Sequence, residues 1–95
     1  MSVGSGAAYS VRFLPAARRA LSDRLPEAVA TAAIEFCADA LADNPHRVGK
    51  ALVGPLTGCH GARRGSYRIM YRIDDAAHVV DVLDIGHRSD VYRTP

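Results

Sequence analysis

Between Tyr67 and Ile73 the chain alternates without a break. Tyr67, Ile69, Tyr71 and Ile73 share one parity; Arg68, Met70 and Arg72 share the other. A period of two sends successive side chains to opposite faces, so this stretch predicts a strand with one apolar and one basic face. Such a face must be buried against another layer, and the strand needs neighbours in a sheet. Arg63 and Arg64 precede the alternation, and Gly65-Ser66 offers a turn back to an earlier strand.

The flanking segments supply those neighbours. Tyr9-Ser10-Val11-Arg12-Phe13 alternates and predicts a first strand. Pro15 opens a short helix at a position where a missing N–H is harmless, with Arg18 and Arg19 facing solvent. Pro26 marks a second helix. Val29, Ala32, Ala33, Phe36, Cys37, Ala40 and Leu41 recur at three and four residues, one face of an amphipathic helix over about 26–42. Asn44-Pro45 stops it. Residues 44–58 carry Pro45, Gly49, Gly54, Pro55 and Gly58 and read as a connection without regular structure. A second strand falls within Leu56 to Arg64, and Asp74-Asp75-Ala76-Ala77 turns the third strand back. His78 to Ile85 is nearly continuously apolar, which suits a central strand buried mostly on both faces.

The expected fold class is therefore α+β. An N-terminal strand is followed by a two-helix hairpin and a three-stranded antiparallel meander, β-α-α-β-β-β, with the helices on one face of a four-stranded sheet. Residues 1–8 read as a flexible lead-in and 9–95 as one domain, and 95 residues leave room for one modest core. No secretory leader or membrane span is visible, so a soluble cytoplasmic protein is expected.

Net charge is only +2, but its distribution is uneven. No acid lies between Asp43 and Asp74, an interval holding Arg47, Lys50, Arg63, Arg64, Arg68 and Arg72 with His46 and His60. This concentrated positive centre suits a polyanion. Cys37 falls on the apolar helix face and reads as a buried thiol. Cys59 reads as partly exposed, and the pair fits no metal-ligand spacing. His46, His60, His78 and His87 are not spaced as metal ligands either. No phosphate loop, nucleophile elbow or dinucleotide fingerprint is present, so no metal or cofactor is expected.

What remains is a set of cations with a tyrosine and a histidine. Antiparallel pairing of the third and fourth strands sets Arg63 to Tyr67 beside Gly86 to Arg88, and Tyr92 follows Arg88 by four residues. Clustered arginines beside a tyrosine can bind a phosphodiester and stabilise charge developing on phosphorus. They would also favour the deprotonated form of a nearby phenol or histidine base. This is enough for metal-free RNA cleavage by attack of the 2′-OH on its own phosphate. Each residue also has an ordinary reading: solvated arginines, a packing role for Tyr92, a surface histidine at His87, and core positions for Tyr67 and Tyr71. Composition and spacing alone support a small α+β domain with a basic face for nucleic acid or another polyanion.

Four segments together are similar to the RelE/ParE superfamily of bacterial toxin–antitoxin toxins. They are Leu14-Pro15-Ala16-Ala17-Arg18-Arg19 after the first strand, Asn44-Pro45-His46-Arg47-Val48-Gly49-Lys50-Ala51-Leu52, Gly61 to Ile73, and Ile85-Gly86-His87-Arg88-Ser89-Asp90-Val91-Tyr92. The resemblance implies a toxin of a type II system, a metal-independent endoribonuclease that enters the ribosomal A site and cuts the codon there. It implies an antitoxin partner in a heterotetramer or larger complex, with ribosome and mRNA as targets. On matching positions it implies Lys50 as a phosphate contact and acid or base, and Arg64 (or Arg63) as transition-state stabiliser. Arg88 would be a second phosphate-binding arginine, Tyr92 a stacking or proton-transfer tyrosine, and His87 a group near the scissile phosphate. Arg47, Arg63 and Arg68 would add RNA affinity. Some members bring several lysines to the loop; this chain has Lys50 alone, with Arg47 nearby. A ParE-like gyrase inhibitor and a non-catalytic RNA- or partner-binding module are the alternatives on the same fold.

Overall fold

The alternating stretch forms the middle strand of a five-stranded sheet. The structure, a computed structural model, describes residues 8–87. Its strands are β1 (Ser10–Phe13), β2 (Lys50–Ala51), β3 (His60–Arg64), β4 (Tyr67–Asp74) and β5 (Val79–His87), in the order β1-β5-β4-β3-β2. β1 runs parallel to β5 and the other pairs are antiparallel. A parallel pair needs a crossover, which begins with two helical segments. α1 (Pro15–Arg19) continues into a π-helical turn at Ala20–Arg24. α2 (Glu27–Phe36) continues into another at Cys37–Leu41. Pro15 sits at the first turn of α1, and Pro26 is the N-cap of α2, with Glu27 in its first turn.

The parity read from β4 is the parity of the core. Tyr67, Ile69 and Tyr71 are buried and Ile73 is half-buried, whereas Arg72 is exposed. The helices meet this face through Ala17, Ala20, Ala33, Phe36, Cys37 and Leu41. Alanines at these contacts let the helix backbones approach the sheet closely, so the large buried side chains come mostly from the strands: Ile69, Tyr71, Val80, Val82 and Ile85. Each fully buried aliphatic contributes about 1.5–3 kcal/mol, so packing on the sheet holds these short helices more than intrinsic propensity does. Burial also pushes the Cys37 thiol up to about 12, which makes it an inert core group. Among the described residues no helix is long and apolar enough to cross a membrane.

Three expectations need correction. The sheet has five strands rather than four, because Lys50 and Ala51 pair with Gly61 and His60. The 44–58 connection therefore contains regular structure: α3 (Pro45–Val48), β2 and a 3-10 turn at Gly54–Leu56. Pro45, read as a stop, also starts α3, since its ring suits the first helical turn. Finally, β5 is not buried on both faces. Val80, Val82 and Ile85 are buried, while Val79, Asp81, Leu83 and Asp84 are only half-buried. The pairing steps from Met70↔Asp84 to Tyr71↔Val82, so Leu83 is the extra residue of a β-bulge. That bulge moves the inward positions from even to odd numbers and makes an alternating strand look continuously apolar.

At the β4–β5 turn, Asp75 ties three segments together. It accepts hydrogen bonds from Tyr9 Oη at 2.6 Å and pairs with His46 Nε2 at 2.8 Å. His78 stacks on Tyr9 with centroids 3.8 Å apart. His60 stacks on Tyr71, and His46 meets its edge. Burial, then the nearby His46, hold the His60 pKa below its ordinary value, against the opposing field of Asp75. A depressed histidine favours the folded state above its unfolded pKa, and that contribution is lost as pH falls through the folded value. His60→Phe should therefore flatten the fall in urea midpoint as pH drops below about 6.5. A variant with the wild-type pH slope would assign that slope elsewhere.

Candidate functional site

Gly65 and Ser66 close the β3–β4 hairpin, with Arg64 paired to Tyr67 across the turn. Gly65 has φ +54°, and Ser66 is not left-handed. A positive φ at the first central residue alone is the pattern of a II′ turn, which glycine adopts without strain and which matches strand twist. The tight turn fixes the register, and the register sorts the arginines by face. Arg63 lies opposite Arg68, which pairs on its other side with Gly86 of β5. Arg64 lies opposite Tyr67, which pairs on its other side with His87. Directly opposed residues share a face. Arg63 and Arg68 therefore lie on the open face, and Arg64, Tyr67 and His87 form the last row on the helix-covered side.

Among the described residues Arg64 is held by uncharged groups. Its guanidinium lies over the Phe36 ring of α2, 4.7 Å from the centroid, and Nη1 donates to the Arg63 carbonyl at 3.0 Å. Neither partner carries a formal charge. Two other arginines on the sheet differ: Arg12 pairs with Asp81 at 2.7 Å, and Arg72 approaches the same carboxylate at 4.0 Å. Arg24 of the helical layer pairs with Asp84 at 2.8 Å. Among the described residues no carboxylate lies within 4.0 Å of Lys50, Arg47 or Arg64. Burial, and then the like charge of Arg63, lower the Arg68 pKa; an anion between the two arginines would relieve both penalties.

Lys50 reaches the site through a tight brace. Tyr71 is fully buried, and its hydroxyl donates to the Pro45 carbonyl at 2.6 Å. Gly49 passes against that hydroxyl and the Gly61 carbonyl, so any Cβ there would overlap both. The next residue, Lys50, pairs with Gly61 on the parity of Met70, the open face. Burial pushes the Tyr71 phenol up to about 12 and also raises that of Tyr67. Both phenols are neutral at physiological pH and serve as packing groups and hydrogen-bond donors, as their parity predicts.

β2 pairs only with His60 and Gly61, which leaves β3 beyond Gly61 as a sheet edge among the described residues. A groove of about 410 Å³ opens there. Lys50, Arg63, Arg64 and Arg68 supply its cations, and Val48, Leu52 and Ala62 supply an apolar wall. No acid lines it. Such a groove is built for an anion with an apolar part, and its charge-assisted donors suit a phosphodiester. No group of three or more His, Cys, Asp or Glu among the described residues is arranged to hold a metal ion.

The family model for the ParE toxin of type II toxin–antitoxin system, parDE, matches residues 9–92. The chain belongs to the RelE/ParE superfamily of toxins. It is 48% identical over 85 residues to Toxin RelE of Mycobacterium tuberculosis, covering 90% of this chain and 87% of that protein. It is 47% identical to Toxin RelG of the same organism, covering 90% and 97%. The toxin–antitoxin complex RelBE2 of M. tuberculosis contains a chain that superposes with a TM-score of 0.84 at 43% identity, covering 93% of this chain and all (100%) of that one. The protein is thus a type II toxin of the RelE family.

In this RelE-family toxin, four residues singled out in the sequence converge on one groove: Lys50, Arg63, Arg64 and Arg68. Arg47 is exposed on α3 and does not line it. His87 ends β5, half-buried in the row with Tyr67 and Arg64. Arg88 and Tyr92 lie outside the described residues. Sequence reasoning missed Phe36 as the platform for Arg64, because helical spacing reports which face is buried and not what lies on it. It also missed the Tyr71–Pro45–Gly49 brace, whose one visible sign was a glycine directly before the lone lysine.

Proposed function

We propose that this toxin is a metal-independent, ribosome-dependent endoribonuclease that cuts mRNA in the ribosomal A site and so stops translation and growth. The observation that carries the reading is a groove at the β3 edge lined by Lys50, Arg63, Arg64 and Arg68 and, among the described residues, by no acid. In the proposed reaction the 2′-oxygen attacks the adjacent phosphorus as the P–O5′ bond breaks. The products are a 2′,3′-cyclic phosphate and a 5′-hydroxyl. A base takes the 2′ proton, and an acid supplies one to the leaving oxygen. Arg64, prepositioned over the Phe36 ring, stabilises the charge on the phosphoryl oxygens. Arg63 and Arg68 hold the backbone, and Lys50 contacts the phosphate and serves in proton transfer. By family resemblance, Arg88 adds a phosphate contact, and His87 and Tyr92 stand near the scissile bond.

An antitoxin partner is proposed with it, since the structural relative from M. tuberculosis is a toxin–antitoxin complex. An acidic or amphipathic segment would cover the groove and silence the toxin in the cytoplasm. Mapping mRNA ends on translating ribosomes tests the reading. Codon-phased cuts, with little cleavage of naked RNA, are expected, and translating ribosomes whose mRNA stays intact would rule it out. The match to the ParE model favours gyrase inhibition as the second reading. A supercoiling assay separates the two, because an RNA-cleaving toxin leaves gyrase active.

A further inference from the structure

We infer that the groove holds a whole nucleotide rather than a bare phosphate, with the base laid against Leu52 and Val48. The inference rests on reading the groove as the RNA site and names what its uncharged half is for. At about 410 Å³ the groove falls in the range of sites that enclose small organic ligands. The four cations that line it, Lys50, Arg63 and Arg68 from the open face and Arg64 from the helix-covered side of the β3 edge, account for a phosphodiester, but an anion alone gains nothing from an apolar wall.

That wall is fixed in place. Leu52 is half-buried, and its backbone N–H donates to the Cys59 carbonyl at 2.9 Å. Its side chain settles over Gly61, where an added Cβ would come within 3.3 Å of Leu52 Cδ2. Val48, at the end of α3, is half-buried and packs against the core. An aliphatic surface that lines the same groove as three arginines suits a flat ring, since bases pack on apolar side chains and stack on arginine planes. An acidic peptide would satisfy the cations equally well, but it brings no planar group to lie between wall and guanidinium.

The test uses the full chain with labelled methyl groups, titrated with adenosine 3′-monophosphate, ribose 5-phosphate and inorganic phosphate. The nucleotide should bind about fivefold more tightly than ribose 5-phosphate and move the Leu52 methyl resonances upfield. Leu52→Ser should bring nucleotide affinity down to that of ribose 5-phosphate while leaving the latter unchanged. Leu52→Met should keep the preference. Equal binding of nucleotide and ribose 5-phosphate, with no Leu52 shift, would overturn the base site and leave the phosphate reading intact. No binding of any phosphate compound would overturn both. An acidic leucine-containing peptide that moves the Leu52 methyls at lower concentration than the nucleotide would make the wall a peptide site and overturn the proposal.

Discussion

Arg64→Ala should slow mRNA cleavage on programmed ribosomes by about 10²–10³-fold, the usual loss when one preorganised donor to a transition-state oxyanion is removed. The folded state should barely notice. Arg64 is exposed, and its interactions are a stack on Phe36 and one hydrogen bond to the Arg63 carbonyl. Loss of an exposed cation–π contact costs about 0.5–1 kcal/mol, so the melting curve should shift only slightly. Arg64→Lys keeps the charge but loses the planar fork and its fit to the ring, and should fall between alanine and wild type. Arg12→Ala is the control: it removes an equal charge that Asp81 already neutralises at 2.7 Å, and cleavage should be unchanged. Single-turnover rates with parallel melting curves decide the matter. An Arg64→Ala rate equal to that of the Arg12 control would remove Arg64 from the mechanism.

The separation between Arg64 and Arg12 illustrates what could be read from sequence alone. The acid-free interval from Asp43 to Asp74 is visible in the chain, and it foretells cations without acidic neighbours in sequence. Which arginines meet a carboxylate depends on strand register across the whole sheet. Arg72 lies in the same interval, yet it faces Asp81 across the β4–β5 pair. The β4 alternation and the Asp74–Ala77 turn foretold the antiparallel pairing that brings the start of β4 near residues 86–87, but the bulge, not visible in the chain, sets Tyr67 opposite His87 rather than Gly86. Two features were hidden for opposite reasons. β2 is two residues long, too short for any periodicity, and lies in a segment rich in glycine and proline. β5 is long enough, but its bulge changes parity midway and mimics a strand buried on both sides. The groove needs β2 to be short, since a longer strand would cover the β3 edge where Arg63 and Arg64 stand.

Gly49→Ala is the substitution expected to harm the fold most. The added Cβ would overlap the buried Tyr71 hydroxyl and come within 2.6 Å of the Gly61 carbonyl oxygen. Neither is a flexible side-chain end. The hydroxyl is fixed by its hydrogen bond to Pro45, and the carbonyl belongs to the residue that pairs with Lys50. Relieving the overlap must break the Tyr71–Pro45 bond or move β2 off β3. Overpacking with loss of a buried hydrogen bond costs about 2–4 kcal/mol. In a domain of this size that lowers the melting temperature by roughly 10–20 °C. Cleavage should fall even at temperatures where the variant is folded, because Lys50 is the next residue. Tyr71→Phe separates the two contacts: it removes the hydroxyl and one of the two overlaps, so the Gly49→Ala/Tyr71→Phe pair should be more stable than the sum of the single losses predicts. A strictly additive pair would show that the phenol does not set the path of residues 45–50, and Lys50 would then reach the groove by the β2–β3 pairing alone.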